Sequence, residues 1–495
     1  MIYPQKAISI LFLCSMITAA GCMSGNEARV TVELGLPAQS PVTGDTGFID
    51  TLLGFFSTRA YAAPAPPDIE SIVLTVSGPG MSTITKSIPT GTGSVTLLVP
   101  PGNSRLFTVL ATGAARSFSG STVADLGSGD TTLTIQMRSL INNAYDGDIT
   151  SDGSSIFISF TSADTGELWF GRSADQGATW TYTVVDSTAD VWGTAIVTGG
   201  ELIHIVYIDE TDTGVILKSK SSSDGGATWP ADPIIIYSTG SPDIYIDSLD
   251  LVYISGLRLV FESGGNIYYD SSGDGVDWSG TEQVGDETGG MTPAVTAYGA
   301  AALRAYVFYG GPMLGTGLYM SSNPDGFSPG ILIDENGFMY IFGGVSVLPG
   351  GSGSYVVYTA IDSTGDRIEI RFADVSPDGT VTSQSSVDSV ILDNSFYTAP
   401  AMATGSGNLY VVYTSFREIS DTAYESSVKF ARSTDNGATW SSQVLESGLN
   451  TFFGLFEKMG IAADGNNVYM LYEVWGETFV GLKLLRSDDA GATWQ

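Results

Sequence analysis

An eight-residue pattern, Ser-x-Asp-x-Gly-x-Thr-Trp, recurs along this chain and constrains its fold more than any other feature. Full copies lie at 173–180, 222–229, 433–440 and 487–494, and a shortened copy lies at 272–278. The closing tryptophans are 49 residues apart in the first three copies and 54 apart in the last two, with 162 residues between the third and the fourth. Turn sequences at 324–326 and 377–379 divide that interval into three, so the spacing predicts seven units of about 50 residues.

Each residue type in the pattern has a role in a tight hairpin. Glycine tolerates left-handed backbone, and Asp, Ser and Thr side chains bond nearby backbone N–H groups. The tryptophan can fold back and pack between strands. We therefore assign structural, non-catalytic roles to Asp175, Trp180, Asp224, Trp229, Asp274, Trp278, Asp435, Trp440, Asp489 and Trp494.

The pattern resembles the Asp-box (BNR) repeat of the sialidase-like β-propellers. This resemblance implies an all-β fold in which each unit is a four-stranded blade with the box between its third and fourth strands. Strand-like runs agree with it: Leu202–Tyr207 and Gly214–Lys218 precede a box, and Ile234–Tyr237 follows it. Because the last box ends the sequence, we expect Ser139–Asn142 to supply the outer strand of the last unit and to close a seven-bladed ring over 138–495.

Residues 1–22 predict a lipoprotein signal peptide. Lys6 precedes an apolar run at 7–20, whose length suits a signal sequence better than a membrane span. The run ends in Thr-Ala-Ala-Gly-Cys, which resembles a bacterial lipobox, although Ala19 stands where that family usually has Leu. The resemblance implies lipidation of Cys22 and, because Met23 rather than Asp follows, an outer-membrane lipoprotein or a cell-surface location in the bacterial envelope. The lipid anchor is the only membrane contact expected.

Residues 23–137 carry no box and predict a separate β-sandwich domain. Its strand-like runs are Val30–Leu36, Ser71–Ser77, Thr83–Ile88, Ser94–Val99, Leu106–Leu110, Ser117–Val123 and Thr131–Met137. The stretch Val95–Ala111 resembles, at fold level, the Ig-like or prealbumin-like modules of bacterial surface lipoproteins. The apolar run Phe48–Ala62 is interpreted as a loop insertion.

Composition excludes several classes of function. The net charge of −33 argues against a nucleic-acid partner and against an anionic lipid surface. Both cysteines, Cys14 and Cys22, belong to the predicted signal peptide, and His204 is the only histidine. Thiolate and histidine metal sites are therefore excluded, and we predict no metal site and no cofactor. The acidic composition leaves Ca²⁺ binding open.

The candidate ligand site lies on the face of the blades opposite the boxes. Connections from the fourth strand of one blade to the first strand of the next are rich in aromatic and acidic residues there. Aromatic rings stack on the apolar faces of sugars, and carboxylates accept hydrogen bonds from hydroxyls. The predicted ligand-binding residues are Tyr145, Trp192, Tyr245, Tyr340, Tyr397, Phe453, Asp190, Asp247 and Asp393. The alternative is that these rings pack between blades and the acids cap turns.

The sequence lacks a motif that the sialidase resemblance would require. That family places the first member of an arginine triad in an Arg-Ile-Pro motif, whereas the only Arg-Ile here, at 367–368, is followed by Glu369. Another kind of glycoside hydrolase needs only two suitably spaced carboxylates, which this face could supply. No catalytic residue is assigned, and His204 is interpreted as a strand residue rather than a base.

We favour an exported, lipid-anchored binding protein that recognises a glycan or a protein through this face. The first alternative is an extracellular glycoside hydrolase with a sialidase-like fold. The second is a non-catalytic scaffold of the cell envelope. The fold by itself does not choose among these three.

Overall fold

The computed structural model describes the chain in segments, and within them every regular element is a β-strand. The described residues are 27–35, 69–113, 117–177, 179–199, 202–285, 291–298, 304–310, 317–323, 327, 330–336, 344–362, 364–391, 395–420, 423–449, 452–453, 459–475 and 480–494. The predicted signal peptide with Cys22, the apolar run at 48–62, and the candidates Tyr340 and Asp393 lie outside these residues.

The first eight strands make two sheets that share one core. They are Ala28–Gly35 (β1), Ile69–Ser77 (β2), Ile84–Ile88 (β3), Ser94–Val99 (β4), Gly102–Gly113 (β5), Ser117–Leu126 (β6), Asp130–Gln136 (β7) and Arg138–Asn142 (β8). One sheet has the order β4-β1-β7, and the other begins β3-β2-β5-β6-β8. Val30 and Val32 of β1 are buried in one cluster with Leu74 and Phe107 of the second sheet. Each strand predicted in this region is present.

Six repeat sheets follow, each antiparallel and built from strands consecutive in the chain. Sheet 1 is Ala144–Ser151 (β9), Ile156–Ser162 (β10), Leu168–Ser173 (β11) and Thr181–Asp186 (β12); sheet 2 is Val191–Gly199 (β13), Leu202–Thr211 (β14), Gly214–Ser222 (β15) and Ile234–Ser238 (β16). Sheet 3 is Ile246–Tyr253 (β17), Leu257–Ser263 (β18), Asn266–Ser272 (β19) and Glu282–Gln283 (β20); sheet 4 is Met291–Tyr298 (β21), Arg304–Gly310 (β22), Leu318–Ser322 (β23) and Ile331–Asp334 (β24). Sheet 5 is Val345–Gly350 (β25), Gly353–Ile361 (β26), Arg367–Val375 (β27) and Val381–Ile391 (β28); sheet 6 is Ser395–Tyr397 (β29), Ala401–Gly405 (β30), Asn408–Ser420 (β31), Ala423–Ser433 (β32) and Ser441–Leu449 (β33).

The outer strand of the last repeat is β8, which precedes the first repeat in the chain. Its own strands are Phe452–Phe453 (β34), Gly460–Asp464 (β35), Asn467–Trp475 (β36) and Val480–Ser487 (β37). β8 pairs antiparallel with β37, with Leu140 opposite Lys483 and Asn142 opposite Gly481. This pairing confirms the strand predicted at Ser139–Asn142. Because β8 also pairs with β6, the N-terminal region and the last repeat share one continuous sheet.

The innermost strands of the repeats contact one another in chain order. β9 contacts β13, β13 contacts β17, β17 contacts β21, β21 contacts β25, β25 contacts β30, and β30 contacts β35. β35 in turn contacts β9, so the succession returns to its start. An all-β arrangement of four-stranded sheets in this order is consistent with a β-propeller.

The four full box segments share one hydrogen-bond pattern. Ser222 Oγ donates to Asp224 and accepts from the N–H of Gly226 at 2.9 Å, while Asp224 accepts from both the N–H and the hydroxyl of Thr228. The same bonds recur at 173–179, 433–439 and 487–493. The threonine hydroxyl is the largest cause that lowers the pKa of Asp224 to about 2. These side chains fix the turn, as their residue types predict.

The glycine and the tryptophan of the box pack on the preceding repeat sheet. Gly437 has φ of +85°, and a Cβ there would lie 2.2 Å from the ring of Phe372 on β27. Trp440 contacts the same ring, with centroids 5.5 Å apart. Two further copies are Phe170 with Gly226 and Trp229, and Phe430 with Gly491 and Trp494. The box therefore joins neighbouring sheets as well as two strands of its own sheet.

A second arrangement joins neighbouring sheets through buried polar groups, and we name it the acid clasp. An acid on the fourth strand of one sheet accepts from a tyrosine hydroxyl and pairs with a cation, both of the next sheet. Glu446 of sheet 6 accepts from the Tyr472 hydroxyl at 2.5 Å and pairs with Lys483. Three further clasps among the described residues are Asp186 with Tyr207 and Lys220, Asp334 with Tyr358 and Arg371, and Asp388 with Tyr413 and Lys429.

A β-bulge immediately precedes the acid in every one of these clasps. The bulge shifts the alternation of side chains by one residue and turns the acid toward the next sheet. Burial by itself would raise the pKa of Glu446, but the charge of Lys483 leads the opposing causes, and the net pKa lies below the ordinary value. Glu446 is thus ionised and paired inside the protein.

Candidate functional site

One face of the repeats carries the connections between sheets, and we name it the connection face. Because consecutive strands are antiparallel, the links from fourth to first strands and from second to third strands lie on this face, and the boxes lie on the opposite one. The described links include 162–168, 186–191, 211–214 and 238–246. The predicted ligand residues that the structure describes belong to this face by their positions in the chain.

The first strands of sheets 1 to 4 each carry a bulge near the connection face. Residues 146–147, 192–193, 247 and 292–293 stand where the pairing with the second strand shifts. Asp146 and Thr292 have φ of +49° and +41°, a strained conformation for residues other than glycine. Bulges re-aim side chains and often lie beside functional sites, and these bulges contain Trp192 and Asp247.

A polar site lies where the last repeat meets sheet 1. Glu473, on β36, is 5% exposed, and its carboxylate accepts from the backbone N–H of Asp146. The same carboxylate accepts from the indole Nε1 of Trp475 at 2.8 Å. Trp475 is 41% exposed. A buried carboxylate therefore holds an exposed aromatic ring beside the bulge of sheet 1.

Tyr145 and Asp190 complete this site, which we name the junction cluster: Tyr145, Asp146, Asp190, Glu473 and Trp475. The Tyr145 hydroxyl donates to the backbone oxygen of Val191 at 3.1 Å and so reaches sheet 2. Burial, followed by the charges of the three acids of the cluster, raises the pKa of Tyr145 far above its ordinary value. Asp190 is exposed. The cluster thus combines two aromatic rings with carboxylates in one small area.

A second pair of carboxylates lies on the first two strands of sheet 3. Asp247 is the bulged residue beside Ser248, which stands opposite Glu262. Glu262 is 8% exposed and accepts from the backbone N–H of Thr292 at 3.2 Å. Burial, followed by the charge of Asp247, raises the pKa of Glu262 to about 7. Near neutral pH this pair can present one acid beside one carboxylate, an arrangement that glycoside hydrolysis uses.

Five of the predicted ligand residues fall into two groups. Tyr145, Asp190 and Asp247 have half-buried or exposed side chains beside the acids just described. Trp192 and Tyr245 are half-buried and pack against the apolar cluster between sheets 2 and 3. The alternative interpretation, in which the predicted rings pack between repeat sheets, therefore holds for the buried part of Trp192 and Tyr245.

Tyr397 requires a correction, because its ring lies in the core between sheets 5 and 6. It is 2% exposed and meets Tyr413 edge to face, with centroids 5.5 Å apart. Lys429 lies 5.7 Å from its ring centre. The run that contains this tyrosine forms β29, which pairs with β31 and so turns the ring inward. Phe453 belongs to β34, where it pairs with Val474.

Three acidic or aromatic residues on the second strands of these sites were absent from the prediction: Glu262, Glu473 and Trp475. All three lie near the ends of second strands, whereas the prediction considered only the links from fourth to first strands. Links from second to third strands share the same face. The triplet Glu473-Val474-Trp475, at the end of a strand-like run, is the signal that could have found this site.

His204 has a structural environment, as predicted. It lies on β14, is 1% exposed, and stacks on Tyr253, while its Nδ1 is 2.7 Å from Ser221 Oγ. Burial lowers its pKa to about 4, so the ring is neutral. In the described segments no group of three or more His, Cys, Asp or Glu is placed to hold a metal ion. Nor does any described segment form a helix with the length and apolarity that crossing a membrane requires.

Comparisons with known proteins give structural neighbours only. No protein-family model matches this chain, and no curated protein sequence matches it. An ulvan lyase, described as a new family of polysaccharide lyase, is 12% identical with a TM-score of 0.43 over 70% of this chain and 94% of its own. A Trypanosoma rangeli sialidase is 13% identical with a TM-score of 0.38 over 61% of this chain and 56% of its own. AofleA from Arthrobotrys oligospora is 12% identical with a TM-score of 0.40, over 66% and 91%. At these values none of the three defines the ligand of this chain.

Proposed function

We propose that this chain is an exported, lipid-anchored protein that binds a glycan at the junction cluster. The observation that carries the proposal is the bond from Trp475 to the buried carboxylate of Glu473. A ring held in this way loses little conformational freedom when a sugar stacks on it. Asp190, close to Tyr145, can accept hydrogen bonds from sugar hydroxyls.

The architecture proposed around this site is a seven-bladed Asp-box propeller at 138–495, behind a β-sandwich at 23–137. The closed succession of innermost strands supports the blade count. The shared core of the first two sheets supports the sandwich. β8, which pairs with both β6 and β37, lies at the proposed boundary and ties the two parts together.

Export and anchoring rest on the sequence of the first 22 residues. The apolar run and the lipobox-like end support cleavage before Cys22 and its lipidation. Several acyl chains, at about 0.8 kcal/mol per buried CH₂, would hold the protein firmly at the outer membrane or cell surface. A propeller presented in this way would meet extracellular or envelope glycans.

A glycan array probed with the full chain, with and without Ca²⁺, tests the function. We expect reproducible binding that Trp475→Ala weakens by about 5- to 30-fold, since stacking on one ring contributes about 1–2 kcal/mol. Tyr182→Ala is the matched control. The exposed fraction of Tyr182, 42%, is similar to that of Trp475, but Tyr182 lies on the outer strand β12. Binding unchanged in Trp475→Ala would contradict the junction cluster as the site. An array without any binding would favour a protein ligand or a scaffold.

Glycoside hydrolysis is the second candidate function, and Asp247 with Glu262 is the observation that favours it. In this case Glu262→Gln and Asp247→Asn would each abolish the release of new reducing ends from a bound glycan. Trp475→Ala would weaken binding and leave hydrolysis at saturating glycan unchanged. Glycan binding without any release of reducing ends would exclude the hydrolase and leave the binding function intact.

A further inference from the structure

A cleft lies between the N-terminal region and the last two repeats, and none of the residues of the junction cluster line it. Its volume is about 530 Å³, and β6, β8 and the outer strand β33 contribute to its walls. Several hydroxyl side chains line it: Ser104, Ser121, Thr122, Thr134 and Ser447. Sites for small molecules have volumes of about 300–1,000 Å³, so the cleft can hold a ligand as large as a monosaccharide.

Arg138, on β8, gives the cleft its chemistry. It lines the cleft and is 7% exposed. Its Nη2 donates to the backbone oxygen of Leu445 at 3.2 Å, whereas its Nη1 is buried and has no hydrogen-bond partner in the described part of the chain. Among the described arginines, Arg138 alone has a terminal guanidinium nitrogen that is buried and has no hydrogen-bond partner. An unpaired charged donor inside a protein is costly, so the site lacks an acceptor.

The carboxylate nearest to Arg138 along the cleft wall already has its partners. Glu446 pairs with Lys483 and accepts from the hydroxyls of Tyr472 and Ser121. Lys483 exerts a stronger effect on the pKa of Glu446 than Arg138 does. Lys483 is therefore the main counter-ion of Glu446, and the unpaired nitrogen of Arg138 has no carboxylate of its own in the described part of the chain.

The two acids on the rim are also engaged. Glu425 pairs with Arg417 at 3.7 Å, and Asp125 accepts from the backbone N–H of Ser104 at 2.7 Å. Carboxylates of this kind retain free lone pairs and accept from hydroxyl groups. A ligand that suits the cleft therefore has an anionic group for Arg138 and hydroxyls for the rim.

We propose that this cleft binds a small polyhydroxylated carboxylate of the uronic acid class, with Arg138 as the partner of the carboxylate. Guanidinium groups bind carboxylates through charge-assisted hydrogen bonds, which are about twice as strong as neutral ones. The net charge of −33 opposes an anion at long range. Salt at 0.1 M screens that repulsion beyond about 10 Å, while the contact with Arg138 is hardly screened.

Isothermal titration of the full chain tests the proposal, with sodium glucuronate as the probe. Glucose supplies the hydroxyls without the charge, and acetate supplies the charge without the hydroxyls. We expect glucuronate to bind at least tenfold more tightly than either. A trigalacturonate, compared with monomeric galacturonate, then separates two sources of the same chemistry: tighter binding of the trimer indicates the end of an acidic polysaccharide, and weaker binding indicates the free acid.

Two variants locate the binding, and one serves as a control. Arg138→Met should lower the affinity for glucuronate at least tenfold. Val444→Trp should block the cleft and leave Arg138 in place, because Val444 lines the cleft and is 56% exposed. Val184→Trp is the matched control. Val184 lies two residues before the clasp acid of β12, as Val444 does on β33, and it is 36% exposed but does not line the cleft.

Three results would overturn the proposal. They are no binding of glucuronate at millimolar concentration, equal affinity for glucose and glucuronate, and binding that survives Val444→Trp. Trp475→Ala should leave glucuronate binding unchanged. Failure of the cleft and failure of the junction cluster are therefore separate outcomes.

Discussion

Replacing Lys483 by Met tests the acid clasp in its most buried copy. The side chains of Lys483 and Glu446 are 2% and 4% exposed. Methionine retains most of the volume but leaves the Glu446 carboxylate with hydroxyl partners and the more distant Arg138. Removal of one partner from a buried ion pair costs about 3–5 kcal/mol, and we expect a loss in this range.

The clasp of sheet 5 provides the comparison. Lys429 and Asp388 occupy the same positions, but their side chains are 18% and 19% exposed. Because water screens this pair, Lys429→Met should cost about 1–2 kcal/mol. Both variants remove the ammonium group of a clasp. Burial is the main difference between the two copies, although Lys429 also lies over the rings of Tyr397 and Tyr413.

Calorimetric unfolding of the full chain converts these energies into temperatures. An unfolding entropy of about 2.1 cal/mol/K per residue gives roughly 1 kcal/mol/K for this length. Lys483→Met should therefore lower the Tm by about 3–5 °C and Lys429→Met by about 1–2 °C. Adding Glu446→Gln to Lys483→Met should recover part of the loss, because no unpaired charge then remains.

The pH dependence has a definite sign. In the natural chain the pKa of Glu446 lies below its ordinary value, although burial opposes this. The stability that results is present above the unfolded pKa and is lost as the pH falls through the folded pKa. In Lys483→Met burial dominates and the folded pKa rises, so the penalty should shrink between pH 7 and pH 5. Two results would refute the reasoning. One is a loss of stability in Lys483→Met that does not depend on pH, and the other is an equal decrease in Tm for Lys483→Met and Lys429→Met.

Three further predictions concern single side chains, each measured as a shift of the urea midpoint. The folded pKa of His204 is about 4 and lies below the ordinary value, so stability should fall as the pH drops from 6.5 toward 4, and His204→Phe should remove that slope. The folded pKa of Glu262 is about 7 and lies above the ordinary value, so its contribution to stability is lost as the pH rises through 7. The stability of Glu262→Gln should not change with pH in this range. Gly437→Ala should cost about 2–4 kcal/mol because of its positive φ and the nearby ring of Phe372. Gly407→Ala, with φ of +76° and nothing within 4 Å, should cost only about 1 kcal/mol.

The repeat sheets could be predicted because their signals are local. Each box completes a hairpin within eight residues, and the bonds from Ser222 to Gly226 and from Asp224 to Thr228 stay inside it. The interval from Trp278 to Trp440 could be divided correctly because only three units of the right length fit there. The strand at Ser139–Asn142 followed from the strand that the last unit lacked.

The acid clasps could not be predicted, because their members come from different sheets and their acids follow bulges. Asp334 meets Arg371 across a sheet boundary. Strict alternation along β24 would place Asp334 on the other face of the strand, and only the register shift brings it inward. The junction cluster has the same difficulty, since Tyr145 and Trp475 lie at opposite ends of the repeat region.

The junction between the last repeat and sheet 1 is held differently from the clasped junctions, and this difference bears on ligand binding. Its outer strand β8, Arg-Ser-Leu-Ile-Asn, contains no acid that could form a clasp. Glu473 instead binds the backbone of Asp146, near the connection face. A ligand that contacts both Trp475 and Tyr145 would bridge the two ends of the repeat region at this junction. Since a ligand specific for the folded state adds about 2.7 kcal/mol at 100 times its Kd, glycan binding and closure of the repeats should reinforce each other.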